Sequence, residues 1–359
     1  KKTPVVLRLR ATKLTRRFFM ETARVPSGIN TTSKKESDNP SDVALSEYSP
    51  KDAKWDQLRG STERVSQLLF RVGEFENWAH RIHDCTGFLR FAELASLETG
   101  EISLKLRYAE FCHVRHCPMC QMRRSIVYRS RFLEFLPETL SEHPNARWVY
   151  LTLTVPNVPV ESLREALKGM NEAWRRLVLR KEFKPVLGWL RTTEVTREKK
   201  RKGYAHPHFH VLMMVPPSMM SGKNYVKQSR WLDMWRECMR DHSIESVDVR
   251  AVKGGIDTAI METVKTFTYS VKPETLEADP KWTVEYFKQV HKLRFIASGG
   301  ALKNAIKNID SVTDEDMIYT DDNPKPEETE KEMRQIGYSW RREEFKYRRA
   351  VKLDKPAEE

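Results

Sequence analysis

The chain has 359 residues and a formal net charge of +13, with 63 Lys and Arg against 50 Asp and Glu. The last 50 residues hold 10 basic and 15 acidic side chains, so residues 1–309 carry +18, a balance suited to a polyanion. No apolar run approaches 18 residues and no signal-peptide core is present, which excludes a helical membrane span and an export signal and leaves a cytoplasmic protein as the expectation.

In chain order, residues 1–25 mix Lys and Arg with Val, Leu and Phe, a basic arm, and residues 26–50 are rich in Ser, Asn, Asp and Pro, a flexible linker. The chain opens on lysine, as a piece lacking its first methionine would. Residues 52–83 turn helical: Leu58, Val65, Leu68, Leu69, Val72, Phe75 and Trp78 recur near helical spacing, with a break expected at Gly60 and Ser61.

Cysteines follow. Phe111-Cys-His-Val-Arg-His-Cys-Pro-Met-Cys-Gln-Met-Arg-Arg124 holds a Cys-x-x-Cys with a third cysteine five residues earlier, and Cys85 stands 27 residues before that one. Cys85, Cys112, Cys117 and Cys120 suit a closed tetrahedral zinc site, with His113 or His116 able to replace one ligand. Disulfides are disfavoured without an export signal. Arg115, Arg123 and Arg124 make this lobe a candidate DNA surface; a solvated arginine face is the alternative. Cys238, amid Trp231, Trp235 and Met239, reads as a core residue.

From residue 147 the elements alternate. A strand is expected over 148–155, an amphipathic helix over 160–179, a strand over 188–196, a basic loop over 197–205 opening at Arg197, and a strand carrying His206-Pro-His-Phe-His210. A helix over 228–240 and a strand over 246–253 complete a pattern that predicts an α+β fold, a ferredoxin-like or RRM-like antiparallel sheet with helices on one face. On a strand His208 and His210 share a face, a rigid mount for one divalent cation. Pairing about the basic loop sets Glu194 opposite His208 as third ligand, with His206 competing for that place.

Residues 261–272 then read as a helix stopping before Pro273. Glu262, Lys265, Tyr269 and Lys272 fall on one narrow face at about 100° per residue. Residues 286–303 read as a helix leading to a Ser-Gly-Gly turn, residues 310–332 as an acidic disordered segment, and residues 340–353 as a final basic helix.

Three stretches, in order, resemble the motifs of the HUH endonucleases, within them the replication initiators of rolling-circle plasmids: Val149-Tyr-Leu-Thr-Leu-Thr154, His208-Phe-His210 and Tyr269-Ser-Val-Lys272. The resemblance spans about residues 85–303. It implies a nick in single-stranded or hairpin origin DNA by a tyrosine, leaving a 5′-phosphotyrosyl link and a free 3′-hydroxyl, with strand joining or hydrolysis at termination. Mn²⁺ or Mg²⁺ is the expected catalytic ion and Zn²⁺ the structural one, with Lys265 and Lys272 beside the nucleophile and a host helicase and polymerase as partners. One departure is Lys265, where initiators of this type typically carry a glutamate; Glu262 lies one turn back on the same face. The expected organisation is an arm and linker over 1–60, a helical and zinc-binding lobe over 61–146, the nuclease body over 147–303 and an acidic linker with a basic helix over 304–359. No phosphate-binding loop with its lysine occurs, so unwinding must come from elsewhere. Two other readings stay open: a transposase-type or relaxase-type HUH enzyme, and a zinc protein that only binds nucleic acid.

Overall fold

Twelve residues from Tyr204 to Val215, three alternating histidines followed by a buried apolar run, set the centre of the molecule. In this computed structural model, which describes residues 43–253, 271, 273–305, 311–327 and 329–350, they form one long strand with partners on both sides. The longer helices and the strands run α1 (Ala53–Val72), α2 (Glu76–Asp84), β1 (Phe88–Ser96), β2 (Ile102–Ala109), α3 (Pro118–Glu142), β3 (Arg147–Thr154), β4 (Val158–Pro159), α4 (Leu163–Val178), β5 (Gly188–Arg197), β6 (Tyr204–Val215), α5 (Gln228–Met239), β7 (Val247–Ala251), α6 (Pro273–Ala278), α7 (Pro280–Val290), β8 (Ile296–Gly300), β9 (Glu330–Arg341) and β10 (Lys346–Arg349). The protein is therefore α+β with antiparallel sheets.

The larger sheet has the order β7-β3-β6-β5-β8, every neighbouring pair antiparallel, with β4 added to the start of β6. Period-two alternation gives it two different faces. Leu151, Leu153, Val195, Phe209, Val211 and Met213 share a core with Leu167, Met170 and Trp174 of α4 and Trp231, Met234 and Trp235 of α5. Trp235 also donates its indole N–H to Thr154 O at 2.7 Å, so this large buried ring leaves no stranded donor. On the opposite face Trp148, Tyr150, Leu190, Leu212 and Met214 pack under Phe132 and Leu136 of α3. That second face continues along the same strands into Thr152, Thr192, Glu194, His208 and His210.

A second sheet, β10-β9-β1-β2, was not expected from the sequence. Its inner side chains Leu89, Phe91, Leu106, Ile336, Tyr338 and Tyr347 are buried, and Arg59 of α1 lies over Trp340 at 5.2 Å. The cysteine lobe thus rests on strands as well as helices. The described part of the expected basic helix, residues 340–350, holds strand instead: Ile336, Tyr338 and Trp340 alternate inward on β9, and β10 pairs with it from Lys346 to Arg349.

Three further expectations are corrected. Residues 310–332 are not uniformly disordered: Asp314–Ile318 is a short helix whose Thr313 accepts from Asp316 N, and Arg123 grips the segment behind it. Helix α1 runs through Gly60 and Ser61 without a break and ends at Gly73, whose φ of 67° supplies the left-handed C-terminal stop. The expected helix around residue 286 begins earlier, at Pro280, and the Ser-Gly-Gly stretch is the edge strand β8. Gly299 is required there because a Cβ would lie 2.6 Å from the Trp189 ring.

Candidate metal centre

The β5–β6 hairpin builds the centre. Its register sets Glu194 opposite His208, Thr192 opposite His210 and Thr196 opposite His206. Because Glu194, His208 and His210 all project from one face, their polar atoms converge: Glu194 Oε2 lies 2.8 Å from His208 Nε2 and 2.9 Å from His210 Nε2. A divalent ion with ligands at about 2.1 Å and near right angles places adjacent ligand atoms about 3 Å apart, so these separations fit one ion. His208 is buried, whereas Glu194 and His210 keep side-chain exposures of 21% and 17%, which leaves a way in from solvent.

The donor set itself asks for a cation. His208 Nδ1 lies 3.3 Å from His206 O, an acceptor, so Nδ1 carries the hydrogen and Nε2 is left to face the carboxylate. Two lone-pair acceptors at 2.8 Å need a positive centre between them, either a proton or a metal ion. Burial raises the Glu194 carboxyl, but the His208 and His210 imidazoles beside it outweigh this and hold the group well below its ordinary value. The carboxylate is thus charged and ready as a ligand at neutral pH.

His206 is turned elsewhere. Its Nδ1 donates to Asn157 Oδ1 at 2.6 Å, and Asn157 in turn donates to Glu198. Burial and then the neighbouring His208 lower its basicity. Two residues at the centre were not named as site residues from the sequence, although Thr152 lies within the 149–154 motif. Thr152 stands opposite His210 on β3, with Oγ1 3.4 Å from His210 Nδ1; strand pairing on the other side of β6 was the signal that could have found it. Asn157, beyond the end of β3, carried no local signal.

The four cysteines form a second cluster. Cys85 closes α2, Cys112 follows β2, and Cys117 and Cys120 open α3. Sγ separations are 3.7 Å for Cys85–Cys120 and Cys85–Cys117, and 3.5 Å for Cys112–Cys120. A disulfide would need about 2.05 Å, whereas metal–sulfur bonds of about 2.3 Å in a tetrahedron set sulfurs about 3.8 Å apart. The spacing therefore fits a closed four-thiolate ion site. Burial raises the Cys85 and Cys120 thiols; in Cys117 burial is outweighed by hydrogen bonds from the other three. Neither histidine joins the cluster: His113 Nε2 contacts Asp314 Oδ1 at 2.6 Å, and His116 is buried against Phe287, ring centroids 4.6 Å apart. Cys238 lies in the core, as its neighbours indicated.

The arginines separate by environment. Arg123 is buried and saturated: it bonds Met317 O, Ile318 O, Thr320 and Asp322 and lies over Trp55, so it clamps the 314–322 segment instead of facing solvent. Arg115 is exposed and reaches Leu293 O, Arg124 donates to His113 O at 3.0 Å, and Arg197 lies 3.4 Å from Asp279. Glu262, Lys265, Tyr269 and Lys272 lie outside the described residues. No helix among the described residues is long and apolar enough to cross a membrane.

Comparison with known proteins agrees with this architecture. A family model described as "Replication protein" matches residues 103–348, a span containing Cys112, Cys117, Cys120 and Cys238, the whole larger sheet, and all but one residue each of β2 and the β9–β10 hairpin. The chain is 34% identical over 281 residues to a "Protein rep" of Streptococcus pneumoniae serotype 2 (strain D39 / NCTC 7466), covering 76% of this chain and 85% of that one. It is 35% identical to a "Protein rep" of Bacillus amyloliquefaciens, covering 69% and 78%, and 29% identical to one of Lactiplantibacillus plantarum, covering 80% and 92%. No solved structure matches. With the paired histidines and their glutamate inside the matched span, the chain belongs to the replication protein family, the plasmid replication initiators of the rolling-circle type.

Proposed function

We propose that this initiator is a metal-dependent nickase of single-stranded origin DNA with Tyr269 as nucleophile. One observation carries the reading: Glu194, His208 and His210 converge on one face of a rigid sheet, with separations that suit a single divalent ion. The order β7-β3-β6-β5 with α4 and α5 on one face supports a ferredoxin-like, RRM-like body, which presents its opposite face to the strand being cut.

Glu194, His208 and His210 would hold Mn²⁺ or Mg²⁺, which neutralises and orients the scissile phosphate; the mixed nitrogen and oxygen donors favour Mn²⁺ where both are present. Tyr269 Oη attacks phosphorus, the bond to the 3′-oxygen breaks, and that oxygen leaves as a hydroxyl after taking a proton. The 5′ phosphate stays esterified to the tyrosine, and the freed 3′-hydroxyl serves a host polymerase, with unwinding by a host helicase. Lys265 and Lys272 favour the phenolate and the charged transition state. Glu262 activates water, or the freed hydroxyl attacks again, to end the cycle. Cys85, Cys112, Cys117 and Cys120 would hold Zn²⁺ in a structural role. Arg115, Arg124 and Arg197 are the phosphate contacts proposed for the track leading to the centre.

The test is incubation of the protein with a labelled single-stranded oligonucleotide carrying a candidate origin, with Mn²⁺ or with EDTA. Cleavage in Mn²⁺ alone supports the reading. Cleavage that persists in EDTA, or that survives His208→Ala with His210→Ala, rejects it.

A further inference from the structure

Between β5 and β6 the hairpin tip Lys199-Lys-Arg-Lys202 places four exposed cations in succession. Among the described residues none of the four forms an ion pair, although exposed arginines elsewhere, such as Arg64 with Glu277, are paired. Glu198, the acid of the loop, is occupied otherwise: its carboxylate accepts from Lys200 N at 3.0 Å and from the Asn157 amide. Asn157 accepts in turn from His206 Nδ1, and Val160 N donates to Gly203 O at 2.8 Å. These bonds tie the tip to the histidine strand and hold its charges at a set offset from the metal centre.

We infer that this tip is a duplex-DNA contact, engaging the phosphate backbone of a paired stem beside the single strand held at Glu194, His208 and His210. The inference rests on the proposed nicking reading and adds a second, separate DNA surface to it. Three features favour duplex over single strand. Single-strand grooves interleave cations with open aromatic faces on which bases stack, but the tip's aromatic, Tyr204, is covered by the Arg201 guanidinium 4.7 Å from its ring centre. Lysine ammoniums act as point charges that neutralise phosphate without reading bases. A two-stranded ribbon also has the width that enters a major groove of about 12 Å. Lys202 is six residues from His208, at most about 20 Å at strand rise, which is no more than about six base pairs at 3.4 Å each.

The experiment compares full-length wild type with a variant carrying Lys199→Gln, Lys200→Gln, Arg201→Gln and Lys202→Gln together. Probes are a labelled hairpin oligonucleotide with a single-stranded flank and the same flank without its stem, both titrated across a salt series. For the hairpin, affinity is expected to fall on the order of tenfold or more and the salt slope to drop by about three. Affinity for the stemless flank is expected to stay at the wild-type level. Replacing the same four residues by arginine or lysine throughout should restore hairpin binding, since only charge is needed. Equal loss on both probes, or no loss on either, overturns the inference. Binding is read without cleavage, so a wild type that binds the hairpin through the tip yet never cuts would reject the nicking reading alone.

Discussion

The Tyr150 ring stacks on the His210 imidazole, centroids 5.7 Å apart and planes 28° from parallel. That contact joins two halves of one sheet face. Tyr150 belongs to the apolar zone sealed by Phe132 and Leu136 of α3, and His210 to the candidate metal centre. Helix α3 starts at Cys117 and Cys120, so the cysteine cluster anchors the helix that covers the neighbouring half of the face.

Glu194→Gln keeps the shape of the side chain and removes the anionic donor. Loss of a supporting bond to a metal ligand costs 10- to 100-fold in affinity, so loss of a ligand is expected to weaken Mn²⁺ binding by at least about 100-fold. Calorimetric titration checks this. DNA affinity in EDTA is expected to stay within about twofold of wild type, because the substitution removes no cation that contacts phosphate.

Leu136→Ala opens a cavity between α3 and the sheet, since Leu136 is buried beside Trp148 and Leu212. Destabilisation of about 2–5 kcal/mol is expected from urea unfolding. A cost near zero would mean that α3 does not seal this face.

Asp322 gives a pH prediction. Burial raises its carboxyl, but attraction to Arg123 and Lys54 outweighs this and holds the group below its ordinary 3.8. A depressed carboxyl contributes stability that is complete above its unfolded value and is lost as pH falls through the folded one. Wild type should therefore lose stability below about pH 4, and Asp322→Asn should lose less over that interval. At pH 7 the variant is expected to be less stable by about 2 kcal/mol, because Arg123 is left buried with one charged partner fewer. Unfolding curves from pH 7 to pH 3 provide the comparison.

The cysteine cluster is expected to retain one zinc ion per chain, and its thiols to resist modification until the ion is chelated. Cys117→Ser should lose the ion and lower the melting temperature. Metal analysis beside thiol titration reads both. Thiols that react freely in the native, metal-loaded protein would refute a closed site.

Much of this molecule is legible where the relevant contacts are local. The hairpin register could be read because one basic loop separates two β-rich runs, and period-two geometry then sets Glu194 across from His208. Cysteine spacing likewise pointed to the four residues that cluster. The β10-β9-β1-β2 sheet escaped because its logic is distant: the buried Glu93 is met by Arg334 from 241 residues away and by Tyr48 from 45. Lys331-Glu-Met-Arg-Gln335 looks like a polar tail, yet β1 pairs its backbone on both sides of a bulge at Met333. Ile336, Tyr338 and Trp340 did alternate, and that was the readable sign of strand. Arg123 misled for a related reason: its charge suggested solvent, while its partners at 317–322 are remote in sequence.

The most direct measurement is to trap the covalent product. Wild type and Tyr269→Phe would be incubated with a 5′-extended, 3′-labelled origin oligonucleotide in Mn²⁺, denatured, digested and mapped by mass spectrometry. The expected result is a DNA-linked peptide containing Tyr269 in wild type, none in the variant, and equal DNA binding by both. An adduct that persists in Tyr269→Phe, or that maps to another residue, would contradict the mechanism.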